Sequence, residues 1–163
     1  MSVRTGIGYD AHAFAAGRPL ILGGVDIPHE QGLIGHSDAD VLTHAIIDAL
    51  LGAAGEGDIG EHFPDTDPRY AGADSLELLR TVVARLAKRR LAIRHVDATV
   101  VMERPRLGPH KAAIRASLAR GMDVAETAIN VKATTGEGMG FVGRGEGVAA
   151  LAVATLDVSP GVR

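Results

Sequence analysis

Nine residues in the first third of the chain, His36-Ser37-Asp38-Ala39-Asp40-Val41-Leu42-Thr43-His44, set two histidines and two aspartates at the mouth of a helix. Val41, Leu42, Ala45, Ile46, Ala49 and Leu50 recur at helical spacing. Ser37 with Asp40 three residues on has the capping-box pattern, and Gly52 is the expected stop. Asp40, His44 and Asp48 follow at four-residue intervals and so share one face. That face is either polar surface, with Asp40 as a cap, or half of a site whose other half lies elsewhere in the chain. Asp10-Ala11-His12 is the obvious second half.

Val3, Thr5, Ile7 and Tyr9 alternate with smaller or polar residues and read as a strand, interrupted by Gly6 and Gly8 where the backbone bends or something approaches closely. At its end Asp10 and His12 point to the same side of extended chain. Leu20–Leu22, Gly23-Gly24 and Val25–Ile27 form a hairpin signal closed by Pro28. A polar loop is expected from Gly55 to Asp74, long enough to suggest function. A second helix is expected over 75–89 with Leu76, Leu79, Val83 and Leu86 inward. Strand character returns over 95–102, a loop over 104–109, a third helix over 110–120 ending at Gly121, and strands over 129–133 and 148–158. The pattern predicts one α/β domain, residues 1–163, mixing strand pairs with covering helices.

Composition narrows the chemistry. A net charge of -3 argues against holding nucleic acid by its phosphates, and five aromatics, two Tyr and three Phe, leave little for base stacking. With no cysteine, a metal would have to use His, Asp or Glu. No apolar leader follows Met1, and the longest apolar run, Val148–Ala154, is too short to span a bilayer, so no membrane association is expected and a cytoplasmic setting is. Asp10, His12 and His44 make a two-histidine, one-carboxylate set of the kind that holds catalytic zinc with an open position. The alternative is that these side chains serve core and surface separately. Gly138-Met139-Gly140-Phe141-Val142-Gly143 matches the dinucleotide fingerprint, but Arg144-Gly145-Glu146-Gly147 cannot open the helix that fingerprint needs. The segment is either a phosphate-approaching backbone loop or a tight turn between strands.

Gly6–His12, His36–Asp40, Asp58–Gly60, Phe63–Asp67, Asn130–Thr135 and Gly140–Gly147 together resemble the 2-C-methyl-D-erythritol 2,4-cyclodiphosphate synthases, in order and over essentially the whole chain. The resemblance implies an α+β fold with a mixed, mainly four-stranded sheet covered by helices on one face, and sheets packed inward in a homotrimer whose active sites lie between subunits. It implies conversion of 4-diphosphocytidyl-2-C-methyl-D-erythritol 2-phosphate to the cyclic diphosphate with release of CMP, in isoprenoid biosynthesis. It also implies zinc on Asp10, His12 and His44, with magnesium or manganese on the substrate diphosphate; Glu137, after Thr134-Thr135 in the glycine-rich segment, either holds that second ion or is a solvated loop glutamate. His36 and Thr135 would stabilise the transition state. Asp10, Ala11, His12, His36 and Ser37 would contact substrate. Asp58, Ile59 and Gly60 would hold the methylerythritol, with Phe63, Pro64, Asp65, Thr66 and Asp67 closing that side.

Met102, Glu103, Arg104, Pro105, Arg106, Leu107 and Gly108 would form the cytidine loop, and Thr134, Thr135, Gly136 and Glu137 would lie against the phosphates. Phe141, Arg144 and Glu146 would meet near a central channel that suits an isoprenoid diphosphate; the alternative there is a plain Arg144–Glu146 pair. Gly136 and Gly138 depart from the threonine and lysine frequent in the family. A zinc-dependent phosphohydrolase and a noncatalytic metal-binding trimer are the other classes to weigh.

Overall fold

The computed structural model describes residues 2–159. A long first strand, β1 (Ser2–Ala16), is followed by the hairpin β2 (Leu20–Leu22) and β3 (Val25–Ile27) and the short β4 (Gln31–Leu33). Then come α1 (Val41–Ala54), the single turn α2 (Ile59–His62), α3 (Ser75–Lys88), β5 (Leu91–Val101), α4 (Lys111–Met122), β6 (Ile129–Thr134), the turn α5 (Gly140–Gly143) and β7 (Gly147–Val158). The main sheet runs β4-β1-β7-β5-β6, antiparallel throughout except for the parallel β5/β6 pair. Four strands are long, as expected; the fifth, β4, pairs only with the end of β1 at Phe14–Ala16.

Alternation along the strands assigns the two faces. Val96, Ala98 and Val100 of β5 and Val148, Ala150, Ala152, Ala154 and Leu156 of β7 are buried beneath the helices. The opposite face is exposed yet apolar, with Ile7 paired to Val153 and Tyr9 to Leu151. Helix α1 lies at the centre of the core, buried on nearly every side, and it sits unusually close to β1. A Cβ on Gly6 would lie 2.2 Å from the Ala49 carbonyl oxygen, and one on Gly8 would lie 1.8 Å from that of Ala45. The two glycines thus serve close approach, one of the two readings the sequence left open.

Several expected boundaries move. The cap of α1 is Asp40, not Ser37: its carboxylate accepts the Thr43 amide at 3.0 Å and the Thr43 hydroxyl at 2.8 Å. The same carboxylate accepts the amides of Gly23 and Gly24 in the β2/β3 turn, at 2.9 and 2.7 Å. Gly52 does not stop α1, which continues to Ala54 and ends on Gly55 in the left-handed conformation. Gly121 likewise lies inside α4, packed beside Leu79 and Leu76, and Asp123 takes the left-handed cap. On α3 the fully inward residues are Leu78, Leu79, Val82 and Leu86, while Leu76 and Val83 are only partly covered. The 55–74 loop contains α2 and a 3₁₀ turn at Pro68–Tyr70. Among the described residues, no helix is long and apolar enough to cross a membrane.

Candidate active site

The close seating of α1 on Gly6 and Gly8 brings the second turn of the helix against the end of β1. There His44 meets Asp10 and His12. Asp10 Oδ2 lies 2.9 Å from His12 Nε2 and 3.1 Å from His44 Nδ1, and the two ring nitrogens are 3.4 Å apart. Among the described residues this is the one group of three ligand atoms within 4.8 Å of one another. Each histidine is held by its other nitrogen. His12 Nδ1 donates to the Ile34 carbonyl at 2.7 Å, which leaves Nε2 facing the centre. His44 Nε2 reaches Ser75 Oγ at 2.8 Å and Ser37 Oγ at 3.1 Å, which leaves Nδ1 facing the centre. Three converging donors, with the second nitrogen of each histidine already anchored, are what a divalent cation requires, and the set fits one.

Burial alone would raise the Asp10 carboxyl, but hydrogen bonds from His12 and His44, with their charge, hold it down to about 2. For His12, burial opposes protonation, yet the Asp10 partner outweighs it and raises the ring above 6.5. The carboxylate is therefore anionic across the physiological range.

The triad opens into a cavity of about 490 Å³ whose walls include His36, Ser37, Asp48, Ile59, Gly60, Phe63, Pro64, Asp65, Tyr70 and Leu78. Phe63 and Tyr70 meet edge to face at 5.3 Å and form its apolar end. His36 Nε2 donates to the Asp67 carbonyl at 3.1 Å, and the Gly72 amide donates to the His36 carbonyl at 2.8 Å, so the 63–74 segment is tied to the 36–38 loop. Asp48 accepts the Ile59 amide at 2.7 Å, which docks α2 on α1. Of the remaining expected residues here, Asp58 caps α2 through the Glu61 amide, Asp67 pairs with Arg69, and Ala11 points to the exposed sheet face.

Met102 to Gly108 line a second, larger cavity of about 1290 Å³ together with Thr134 and Thr135. The triad and Thr135 thus lie in different cavities of one chain, and His36 is not brought to Thr135. The glycine-rich segment is less open than its composition suggested. The Glu103 carboxylate accepts the Gly136 amide at 2.6 Å and lies 3.4 Å from that of Gly138, so two of the amides are engaged within the chain. Glu137 stands exposed beside them, and Arg144 pairs with Glu146 at 2.8 Å. Asp38, Ser75, Tyr70 and Leu78 escaped the sequence reading. Ser75 and Asp38 looked like helix-start residues, and nothing in the local pattern placed them behind His44.

The YgbB family model matches residues 3–157. The 2-C-methyl-D-erythritol 2,4-cyclodiphosphate synthase of Geotalea daltonii is 57% identical over 165 residues, 99% of this chain and 96% of that protein. The chain belongs to this family. Among solved structures, a cyclodiphosphate synthase in a CDP-bound form superposes with a TM-score of 0.87 at 41% identity, over 94% of this chain and 100% of that one. The bifunctional IspDF of Campylobacter jejuni gives a TM-score of 0.94 at 44% identity over 97% of this chain, which spans 43% of that longer protein. The fold of a cyclodiphosphate synthase therefore extends over 94% of this chain.

Proposed function

We propose that the chain converts 4-diphosphocytidyl-2-C-methyl-D-erythritol 2-phosphate to 2-C-methyl-D-erythritol 2,4-cyclodiphosphate and CMP, a step in isoprenoid precursor biosynthesis. The observation that carries this reading is the convergence of Asp10, His12 and His44 on the wall of the cavity that also holds His36 and Ser37. Family membership favours cyclisation over the hydrolase and scaffold alternatives.

The nucleophile is the substrate's own 2-phosphate, already ionised near neutral pH, so no strong general base is required. What the chain must supply is alignment and charge compensation for two anionic groups that meet in line. Asp10, His12 and His44 would hold zinc, which when bound supplies Lewis acidity toward a phosphate oxygen. Glu137 would hold the magnesium or manganese that travels with the diphosphate. His36 and Thr135 would donate hydrogen bonds to oxygens whose charge changes in the transition state, and Ser37 would orient the phosphates. Asp58, Ile59 and Gly60 would grip the methylerythritol, the apolar end at Phe63 would exclude water, and the Met102–Gly108 loop would take the cytidine.

Because the triad cavity and the Thr135 cavity are separate in one chain, we assign the complete site to a homotrimer, the first cavity of one subunit facing the second of its neighbour. The exposed apolar face of β1 and β7 supports that packing. Arg144 and Glu146, paired within each chain, would then gather near the three-fold axis, where they would either stabilise the trimer or take an isoprenoid diphosphate. Calorimetry with geranyl diphosphate decides between them: binding that vanishes in Arg144→Ala would support the diphosphate site, and no binding to the unaltered protein would leave the pair a structural one. A cytoplasmic setting completes the proposal. The activity itself is tested by CMP release from the cytidylyl substrate. Release should stop in His44→Ala together with loss of bound zinc, and continued release would overturn the assignment.

A further inference from the structure

Behind His44 lie two polar residues, Ser75 and Asp38, to which the reaction described above gives no role. Ser75, fully buried in the first turn of α3, meets His44 Nε2 at 2.8 Å. The Ser75 hydroxyl donates to Asp38 Oδ1, and the other Asp38 oxygen accepts the Ser75 backbone amide at 2.9 Å. Ser37 Oγ also lies 3.1 Å from His44 Nε2. The Asp38 backbone is pinned in turn, its amide donating to the Ala73 carbonyl at 3.0 Å. Helix capping does not account for the arrangement, because Asp74 already caps α3 through the Leu76 amide at 2.9 Å.

Counting protons assigns the roles. His44 Nδ1 faces Asp10 and His12 and can take a cation only as a bare lone pair, so the single ring hydrogen sits on Nε2. Two hydroxyls compete to accept it. Ser75 has given its own hydrogen to a carboxylate, so a Ser75 lone pair must face His44, and the Asp38 charge makes that oxygen the stronger acceptor. Ser37, which lines the cavity, cannot donate to a protonated Nε2 and so keeps its hydroxyl hydrogen for a bound anion.

We infer that Asp38 and Ser75 are positioning residues for the metal centre. The Asp38–Ser75 relay fixes the tautomer and ring orientation of His44 and strengthens Nδ1 as a ligand, freeing Ser37 for substrate. The inference rests on the divalent-metal reading of the triad. It gives His44 the kind of outer partner that His12 has more simply in the Ile34 carbonyl.

Zinc affinity of the full-length protein, measured by competition with a chromophoric chelator, tests the relay. Ser75→Ala should lose about 10- to 100-fold in affinity, and Asp38→Asn, which keeps an acceptor oxygen but no charge, about tenfold. Ser37→Ala should bind zinc as the unaltered chain does. In nitrogen-15 spectra of the zinc-loaded protein, the His44 Nε2–H signal should move in Ser75→Ala and hold its position in Ser37→Ala. If Ser75→Ala fails to fold, Asp38→Asn carries the measurement. His44→Ala is the control. Unchanged affinity in that variant removes the metal site and the relay with it. Loss in that variant, with full affinity in both Ser75→Ala and Asp38→Asn, overturns the relay alone. A Ser37→Ala loss equal to that of Ser75→Ala would overturn the division of roles.

Discussion

At His12 Nε2 a proton and a metal compete for the same lone pair. The carboxylate, held down to about 2, stabilises a proton on His12 Nε2 at 2.9 Å, and that nitrogen must lose the proton before it can act as a ligand. The sign follows. Since His12 is raised above 6.5, metal binding near neutral pH releases a proton, and affinity falls as the pH drops through the raised value. Asp10 adds no further pH dependence until far more acid conditions. Zinc titrations between pH 6 and pH 8, conditions about the ordinary histidine range, should show affinity rising with pH. A flat profile would mean that His12 is not a ligand. Ligand identity was legible in the sequence because Asp10 and His12 sit two apart on extended chain and so share a side. The partners of His44 were not legible, since Ser75 and Asp38 come from segments whose meeting depends on how α3 packs.

Elements explain why the triad exists at all. Helix α1 reaches β1 because Gly6 and Gly8 carry no Cβ, and glycines inside a strand pattern offered that close approach as one of two readings, the other a bend. Gly8→Ala would drive a methyl group into the Ala45 carbonyl, 1.8 Å away, and no side-chain rotation relieves a backbone overlap. The expected cost is about 3 kcal/mol, read in denaturant unfolding, together with weaker zinc binding as His44 moves off Asp10. Unchanged zinc affinity would show that the close approach does not set the triad. For the start of α1 the sequence left two caps open, Ser37 through its capping-box pattern and Asp40, and the structure has Asp40. Ser37, Asp38 and Asp40 can all cap a helix, and the choice was made by a distant feature, the Gly23-Gly24 turn whose amides Asp40 also binds. Burial raises this carboxyl, against the pull of the Thr43 and Gly23 amides. Asp40→Ala should cost about 2–4 kcal/mol through the lost cap and the orphaned amides. A denaturation midpoint matching the unaltered chain would contradict that account of the cap.

At the scale of the whole molecule, one chain carries two separate cavities and an exposed apolar sheet face. Ile7 is 70% exposed and Tyr9 55%, side by side with Leu151 and Val153. A cyclic assembly would bury this surface and bring the triad of one subunit to Thr135 of the next. Mixed trimers give a direct check. His44→Ala and Thr135→Ala should each be inactive alone, yet refolding an equal mixture should restore about one quarter of the activity, because one oriented interface in four then pairs an intact triad with an intact Thr135. No recovery would place both residues in a site within a single chain. The chemistry itself is read by phosphorus NMR of the purified protein with 4-diphosphocytidyl-2-C-methyl-D-erythritol 2-phosphate and magnesium. The expected spectrum shows the two coupled resonances of a cyclic diphosphate growing in step with CMP. Linear phosphate products in their place, or an unchanged substrate spectrum with zinc fully bound, would contradict the assignment.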